Sequence, residues 1–306
     1  MRYDSLGLIL TNKCNAVCDH CCFSCSPAET KVLPSSIVFS CIKDSKNIPE
    51  ITQIGFSGGE PFLIYDNLLE YVSLVQETGR GATVTTNCQW ATTYDIAYEK
   101  LKSLKVAGLI GLGISYDEFH QKFVDKNNLL NTLQAAKALG LSTKVQAAVL
   151  KDTKPGDIIN KLWPDIIDIA FSAYSCYPVG RAKEKISGDC YIRNTLSHNR
   201  FCRKSSTFSI DVNGDAWPCC VPAINETELS IGNVFDVGVE QIYKNLKENV
   251  FLKLLRNRGF DYFIEIARED LHLDIPQKVI SSCELCMKFF SSENFYRFIP
   301  FLRKRL

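Results

Sequence analysis

Almost no net charge marks this 306-residue sequence: 35 Lys and Arg stand against 34 Asp and Glu, leaving +1 at pH 7. A chain so balanced has no charge-driven pull toward a polyanion, so no nucleic-acid partner is expected. Long hydrophobic runs are lacking as well. Near the N-terminus only Leu6–Leu10 is apolar, too short for a signal-peptide core or a membrane span. A cytoplasmic protein with no membrane partner is the expectation. Low-complexity segments are absent too, and so is any internal repeat beyond an alternation of strands and helices.

What the chain has in excess is cysteine. Of its fourteen thiols, ten bunch at 14–25, 202–220 and 283–286. With no export signal expected, that number does not argue for a disulfide framework; bunched thiols in a reducing compartment point to metal or redox chemistry. Cys41, Cys88, Cys176 and Cys190 stand alone and read as buried packing residues.

Short apolar runs alternate with helical periodicity through the first two-thirds. Leu6–Leu10 reads as a strand, followed by a polar, cysteine-rich loop and a helix over Pro34–Ser45. Four strand–helix pairs follow: Ile51–Phe56 with Asp66–Thr78, Ala82–Thr86 with Thr92–Leu104, Leu109–Ser115 with Asn128–Leu139, and Thr143–Leu150 with Asp157–Trp163. Ile166–Ala173 is a sixth strand. This alternation argues for an α/β fold of parallel strands with helical crossovers. Beyond residue 175 the pattern stops. A hairpin reads at Thr207–Asp211 and Asp215–Cys219 around Asn213-Gly214, then amphipathic helices at roughly 236–257 and 260–271. The expected domains are 1–190 and 191–306.

The first cysteine cluster, Cys14-x3-Cys18-x2-Cys21, sits just after the first strand. Thiolates are the usual ligands of iron–sulfur clusters, and three of them leave one iron open for a substrate or co-substrate. Cys18, Cys22 and Cys25 repeat the spacing one register later. The first register is preferred because Cys14 lies nearest the strand end, where (β/α) folds carry their sites. His20, aromatic and just before the third thiol, supports it. A structural zinc site built from four of the five thiols is the alternative.

These residues resemble the radical S-adenosylmethionine superfamily, whose signature is a tri-cysteine loop after strand one. The resemblance extends to Gly58-Gly59-Glu60-Pro61, like the family's GGE motif, which implies that backbone and carboxylate hold the co-substrate's amino group. Less specific likenesses are Asn87 in Thr86-Asn87, Ser115 with Asp117 close behind, and Arg181 in Tyr177-Pro178-Val179-Gly180-Arg181-Ala182, near the expected mouth of the site. The implied fold is a partial (β/α)6 TIM-like barrel, and the implied chemistry is reductive cleavage of S-adenosylmethionine to a hydrogen-abstracting radical. An electron donor such as a flavodoxin or ferredoxin is the implied partner.

Cys202, Gly214 and Cys219 are similar to the opening of the SPASM and twitch domains that follow many such barrels. Only Cys283 and Cys286 come after, and position 292 is Ser. The count therefore implies a small α+β twitch-type domain with one auxiliary [4Fe–4S] cluster on Cys202, Cys219, Cys283 and Cys286; a Cys₄ zinc ribbon is the alternative. Cys220 is left over. Its position beside a ligand is similar to the free thiol of radical peptide epimerases, which returns a hydrogen atom to the substrate Cα. The expectation is an enzyme that epimerises a precursor peptide. Peptide cross-linking through thioether or carbon–carbon bonds, small-molecule dehydrogenation, and a non-catalytic iron–sulfur or zinc scaffold are the alternatives. An aromatic tail (Phe289, Phe290, Phe295, Tyr296, Phe298, Phe301) suits either peptide docking or helix packing.

Overall fold

The computed structural model describes residues 3–164, 167–195, 202 and 206–305, the last three as backbone only. Six parallel strands form in chain order: β1 (Ser5–Ile9), β2 (Gln53–Ser57), β3 (Gly81–Thr86), β4 (Leu109–Ser115), β5 (Ser142–Val149) and β6 (Ala170–Ser175). Helices α1 (Ser35–Asp44), α2 (Tyr65–Glu77), α3 (Tyr94–Val106), α4 (Lys126–Ala138) and α5 (Pro155–Leu162) cross between them. Because side chains alternate along a strand, each strand serves two environments. Leu6, Leu8, Ile54, Val84, Leu112, Ile114 and Val145 pack against the helices in one continuous core with Val38, Leu68, Val72, Leu101 and Leu133. The intervening Gly7, Ile9, Gly55, Ser57, Thr85, Ser115, Lys144, Gln146, Ser172 and Tyr174 face a cavity of about 920 Å³. Six of these ten are Gly, Ser or Thr, which helps the strands enclose space instead of filling it.

The sixth strand starts later than the sequence pattern suggests, and Ile166 lies outside the described residues. A larger difference concerns the hairpin. β8 (Thr207–Ile210) and β9 (Ala216–Trp217) pair antiparallel, but β8 also pairs parallel with β1. The hairpin thus extends the barrel sheet, whose order is β6-β5-β4-β3-β2-β1-β8-β9. Its turn is not a two-residue Asn-Gly connection. Asp211 N donates to Asp215 O, leaving three loop residues with Gly214 at φ +81°, the geometry in which a type I turn ends on a left-handed residue. The Asp211 carboxylate accepts from Asn213 N and Asp215 N and from the Trp217 indole, which favours this longer turn.

Short strands β7 (Asn194–Thr195) and β10 (Lys278–Val279) pair at one side, and α6 (Arg181–Lys185) follows β6. The remaining helices are α7 (Val239–Glu248), α8 (Val250–Asn257), α9 (Gly259–Glu269), α10 (Ser282–Phe289) and α11 (Phe295–Arg305). The first expected helix breaks at Asn249, whose side chain accepts from Leu252 N and caps α8. Phe289, Phe290 and Phe298 are buried around Phe263, while Tyr296 is exposed. Helix packing, not a free docking surface, accounts for most of the aromatic tail. Among the described residues no helix is long and apolar enough to cross a membrane.

Phe263 is fully buried and meets Phe251, Tyr262, Phe290 and Phe298. Phe263→Ala should cost about 3–5 kcal/mol, read as a lower denaturation midpoint. A loss within measurement error would show that this core is not packed as described.

Candidate active site

The loop after β1 is held by the turn after β2. Gly59 N donates to Thr11 O (2.5 Å) and Glu60 N to Lys13 O (2.9 Å). The two glycines are required by that approach. A Cβ on Gly59 would lie 2.1 Å from Lys13 O, and Gly58, at φ +154°, would place one 2.6 Å from Thr11 O. Both glycines also line the cavity.

Cys14, Cys18 and Cys21 reach the same cavity wall and share one packed cluster with Ala16, Cys25 and Phe119. Cys25 N donates to Cys21 Sγ (3.3 Å), and the Cys25 thiol adds a second bond that holds the Cys21 thiol below its ordinary value. Burial pushes the Cys14 thiol up to about 11 and Cys18 higher still. Converging soft sulfur donors, free of any disulfide, suit an iron–sulfur cluster, whose binding would displace their protons. Cys22 and Cys25 line the same cavity, and Cys22 also packs against a neighbouring cluster with Cys176 and Val179.

Glu60 is placed differently from the expectation of a ligand contact. It is fully buried and is not among the residues lining the cavity. Its carboxylate accepts from Phe62 N (3.0 Å), Thr86 Oγ1 (2.8 Å) and Asn87 N (2.8 Å), tying the ends of β2 and β3 together. Asn87 does line the cavity; its amide donates to Asn15 Oδ1 (2.8 Å) and lies 3.7 Å from Cys14 Sγ. Ser115 sits half-buried on the same wall.

A network around Asp117 completes the floor. Asp117 Oδ1 accepts from Phe119 N, His120 N and the His120 ring (2.8 Å), and Oδ2 accepts from Ala148 N. These bonds and the facing histidines hold its carboxyl well below the usual range despite burial. His20 stacks on Phe119, with Nε2 3.7 Å from Asp117 Oδ2; burial lowers its ring to about 4. His20, Asp117 and His120 lie close enough to suggest a metal site, but both Asp117 oxygens are already taken by hydrogen-bond donors. His120 lines the cavity and was not singled out from sequence. The signal was there: Asp-x-x-His, with an aspartate able to cap the turn that carries the histidine.

Arg181 does not line the cavity. Its guanidinium donates to Cys18 O (2.9 Å), Ser24 O (2.8 Å) and Cys25 O (2.7 Å), gripping the cysteine loop from behind. The later cysteines gather separately: Cys202, Cys219, Cys283 and Cys286 line one small apolar cavity of about 40 Å³ with Pro218 and Phe260. Cys220 is absent from that cavity. Its side chain is exposed and lines the large one, although β9 ends at Trp217 and strand alternation alone does not set its direction.

Residues 8–160 match the radical SAM superfamily, and residues 202–287 match an iron–sulfur cluster-binding domain, SPASM. The chain is 28% identical over 311 residues, covering 99% of its own length and 98% of the relative's, to the Bacillus subtilis (strain 168) protein named "Putative peptide biosynthesis protein YydG". Two solved structures share its fold. Streptococcus suis SuiB bound to S-adenosylmethionine has a TM-score of 0.59 at 14% identity, covering 84% of this chain and 68% of that one. BtrN in complex with AdoMet and 2-DOIA has a TM-score of 0.52 at 15% identity, covering 84% and 88%.

Burial raises the Glu60 carboxyl from its ordinary 4.5 to about 7. The folded protein therefore holds this proton more tightly than the unfolded chain does. That contribution is full below about pH 4.5 and is lost as pH rises to about 7, costing up to about 3 kcal/mol. Urea unfolding of the cluster-free protein should show this loss, and Glu60→Gln should remove it. Identical pH slopes for the two proteins would refute the assignment.

Proposed function

The chain belongs to the radical S-adenosylmethionine superfamily, and we propose that it converts an L-residue of a ribosomally made precursor peptide to its D-form. Membership brings S-adenosylmethionine and a [4Fe–4S] cluster as cofactors, and the second matched domain brings auxiliary iron–sulfur binding. Cys14, Cys18 and Cys21 would hold the first cluster, with His20, Gly58, Gly59, Asn87 and Ser115 around the co-substrate. Cys202, Cys219, Cys283 and Cys286 would hold a single auxiliary [4Fe–4S] cluster. Together, cluster and co-substrate supply a 5′-deoxyadenosyl radical able to take a hydrogen atom from a substrate carbon.

The observation that carries the epimerase reading is the placement of Cys220. Its side chain is exposed and lines the same cavity as Cys14, Cys18 and Cys21 but not the small one, while its neighbour Cys219 lines both and joins the other three thiols around the small cavity. Surrounding protein raises the Cys220 thiol above its ordinary value, so at neutral pH it keeps its proton. A neutral S–H can give a hydrogen atom to a Cα radical: the C–H bond forms as the S–H bond breaks. The sulfur radical left behind regains one electron from an external donor of the flavodoxin or ferredoxin class and one proton from solvent. The cavity, about 920 Å³, suits a co-substrate together with a short length of peptide. The name of the Bacillus relative supports a peptide as the substrate class.

Anaerobically reconstituted protein should carry about eight iron atoms, as two [4Fe–4S] clusters require, and replacing Cys14, Cys18 and Cys21 by Ala should remove about half of them. Cys220→Ala should still consume S-adenosylmethionine but yield no D-residue. In D₂O the wild-type product should gain one deuterium at Cα. Normal product from Cys220→Ala, or product without deuterium, would sink epimerisation and favour cross-linking.

A further inference from the structure

The run Tyr177-Pro178-Val179-Gly180-Arg181, from the loop after β6 to the first residue of α6, touches both cysteine sets. At one end Arg181 makes the three side-chain bonds to Cys18 O, Ser24 O and Cys25 O, and its backbone N donates to Cys21 O (3.0 Å). A loop with little regular structure leaves carbonyls that need donors, and the planar guanidinium supplies several from one rigid group. Gly180 allows the approach. At φ +53° it brings the chain so close that a Cβ would lie 2.3 Å from Cys22 O.

The other end reaches α10. Tyr177 Oη lies 2.7 Å from Ser281 Oγ, and Ser281 Oγ accepts from Cys283 N (3.0 Å) as the cap of the helix carrying Cys283 and Cys286. Between the two ends, Tyr177, Val179 and Ala182 pack in one apolar cluster with Cys22 from the first loop and Cys283 and Met287 from α10. Tyr177 and Val179 line the large cavity as well.

We propose that residues 177–181 form a strut that fixes the two cysteine sets relative to each other, with Arg181 the positioning residue for the first and Tyr177 for the second. This rests on the reading above that each set holds a cluster. The strut defines how far apart the two centres stand and what width of cavity lies between them. It also bears on the second centre, because Tyr177 holds the Ser281 hydroxyl that receives the backbone N–H of Cys283, and partners of this kind orient metal ligands and tune cluster potentials.

The test uses the full-length reconstituted protein, with iron analysis, electron paramagnetic resonance with and without S-adenosylmethionine, and redox titration. Arg181→Lys keeps the charge but cannot span three carbonyls. It should lose about half the iron and all of the change that S-adenosylmethionine causes in the spectrum, while the second cluster's signal stays. Gly180→Ala should repeat that pattern. Tyr177→Phe, which frees Ser281, should keep full iron and its response to S-adenosylmethionine but shift the second cluster's midpoint potential. Full iron with a normal response in Arg181→Lys, or an unchanged potential in Tyr177→Phe, would overturn the strut. A wild-type protein with no cluster responsive to S-adenosylmethionine would overturn the functional reading itself, which separates the two failures.

Discussion

The junction between the cysteine loop and the turn after β2 is the constraint on which the rest of the site depends. Two backbone bonds, from Gly59 N to Thr11 O and from Glu60 N to Lys13 O, seat one segment on the other. They form only because neither glycine carries a Cβ. Glu60 then anchors the turn from below through Phe62, Thr86 and Asn87, and Asn87 passes the constraint to Asn15 beside Cys14. A buried carboxylate is costly without partners; here three donors offset part of that cost and tie the segments together, while burial still raises the carboxyl.

A second constraint is the pairing of β8 with β1. Without it, the later cysteines would belong to an appendage. With it, the hairpin continues the barrel sheet, and Cys219 and Cys220 emerge where the large and small cavities adjoin. Cys219 thus borders both cavities, and Cys220 only the large one. Arg181 closes the arrangement from the far edge of the sheet, gripping the back of the loop whose front faces the cavity.

Much of this could be read in the sequence. The six strands follow from apolar runs with period two separated by amphipathic stretches, because parallel strands with crossover helices must bury one face of each element. The cysteine spacing and the Gly-Gly-Glu turn are local patterns whose meaning hardly depends on distant residues. The reach of Glu60 and Arg181 was not legible. Both were expected near the co-substrate, since a charged residue in a motif reads as a ligand contact. Each instead satisfies backbone or hydroxyl groups distant in sequence, and nothing local records which carbonyls and amides a fold will leave without partners. His120 went unnoticed for the same reason: its meaning comes from Asp117 together with the approach of His20.

By itself, then, the sequence determined the element order, the grouping of thiols and the soft donor chemistry. These depend on short-range spacing and on side-chain type. Only the tertiary structure decided which thiols share a cavity and that the hairpin joins the barrel sheet. It also decided that Tyr177 and Arg181 link the two cysteine sets. Such relations connect residues more than a hundred positions apart, and they are set by the twist, register and packing of the whole sheet, which no local pattern encodes.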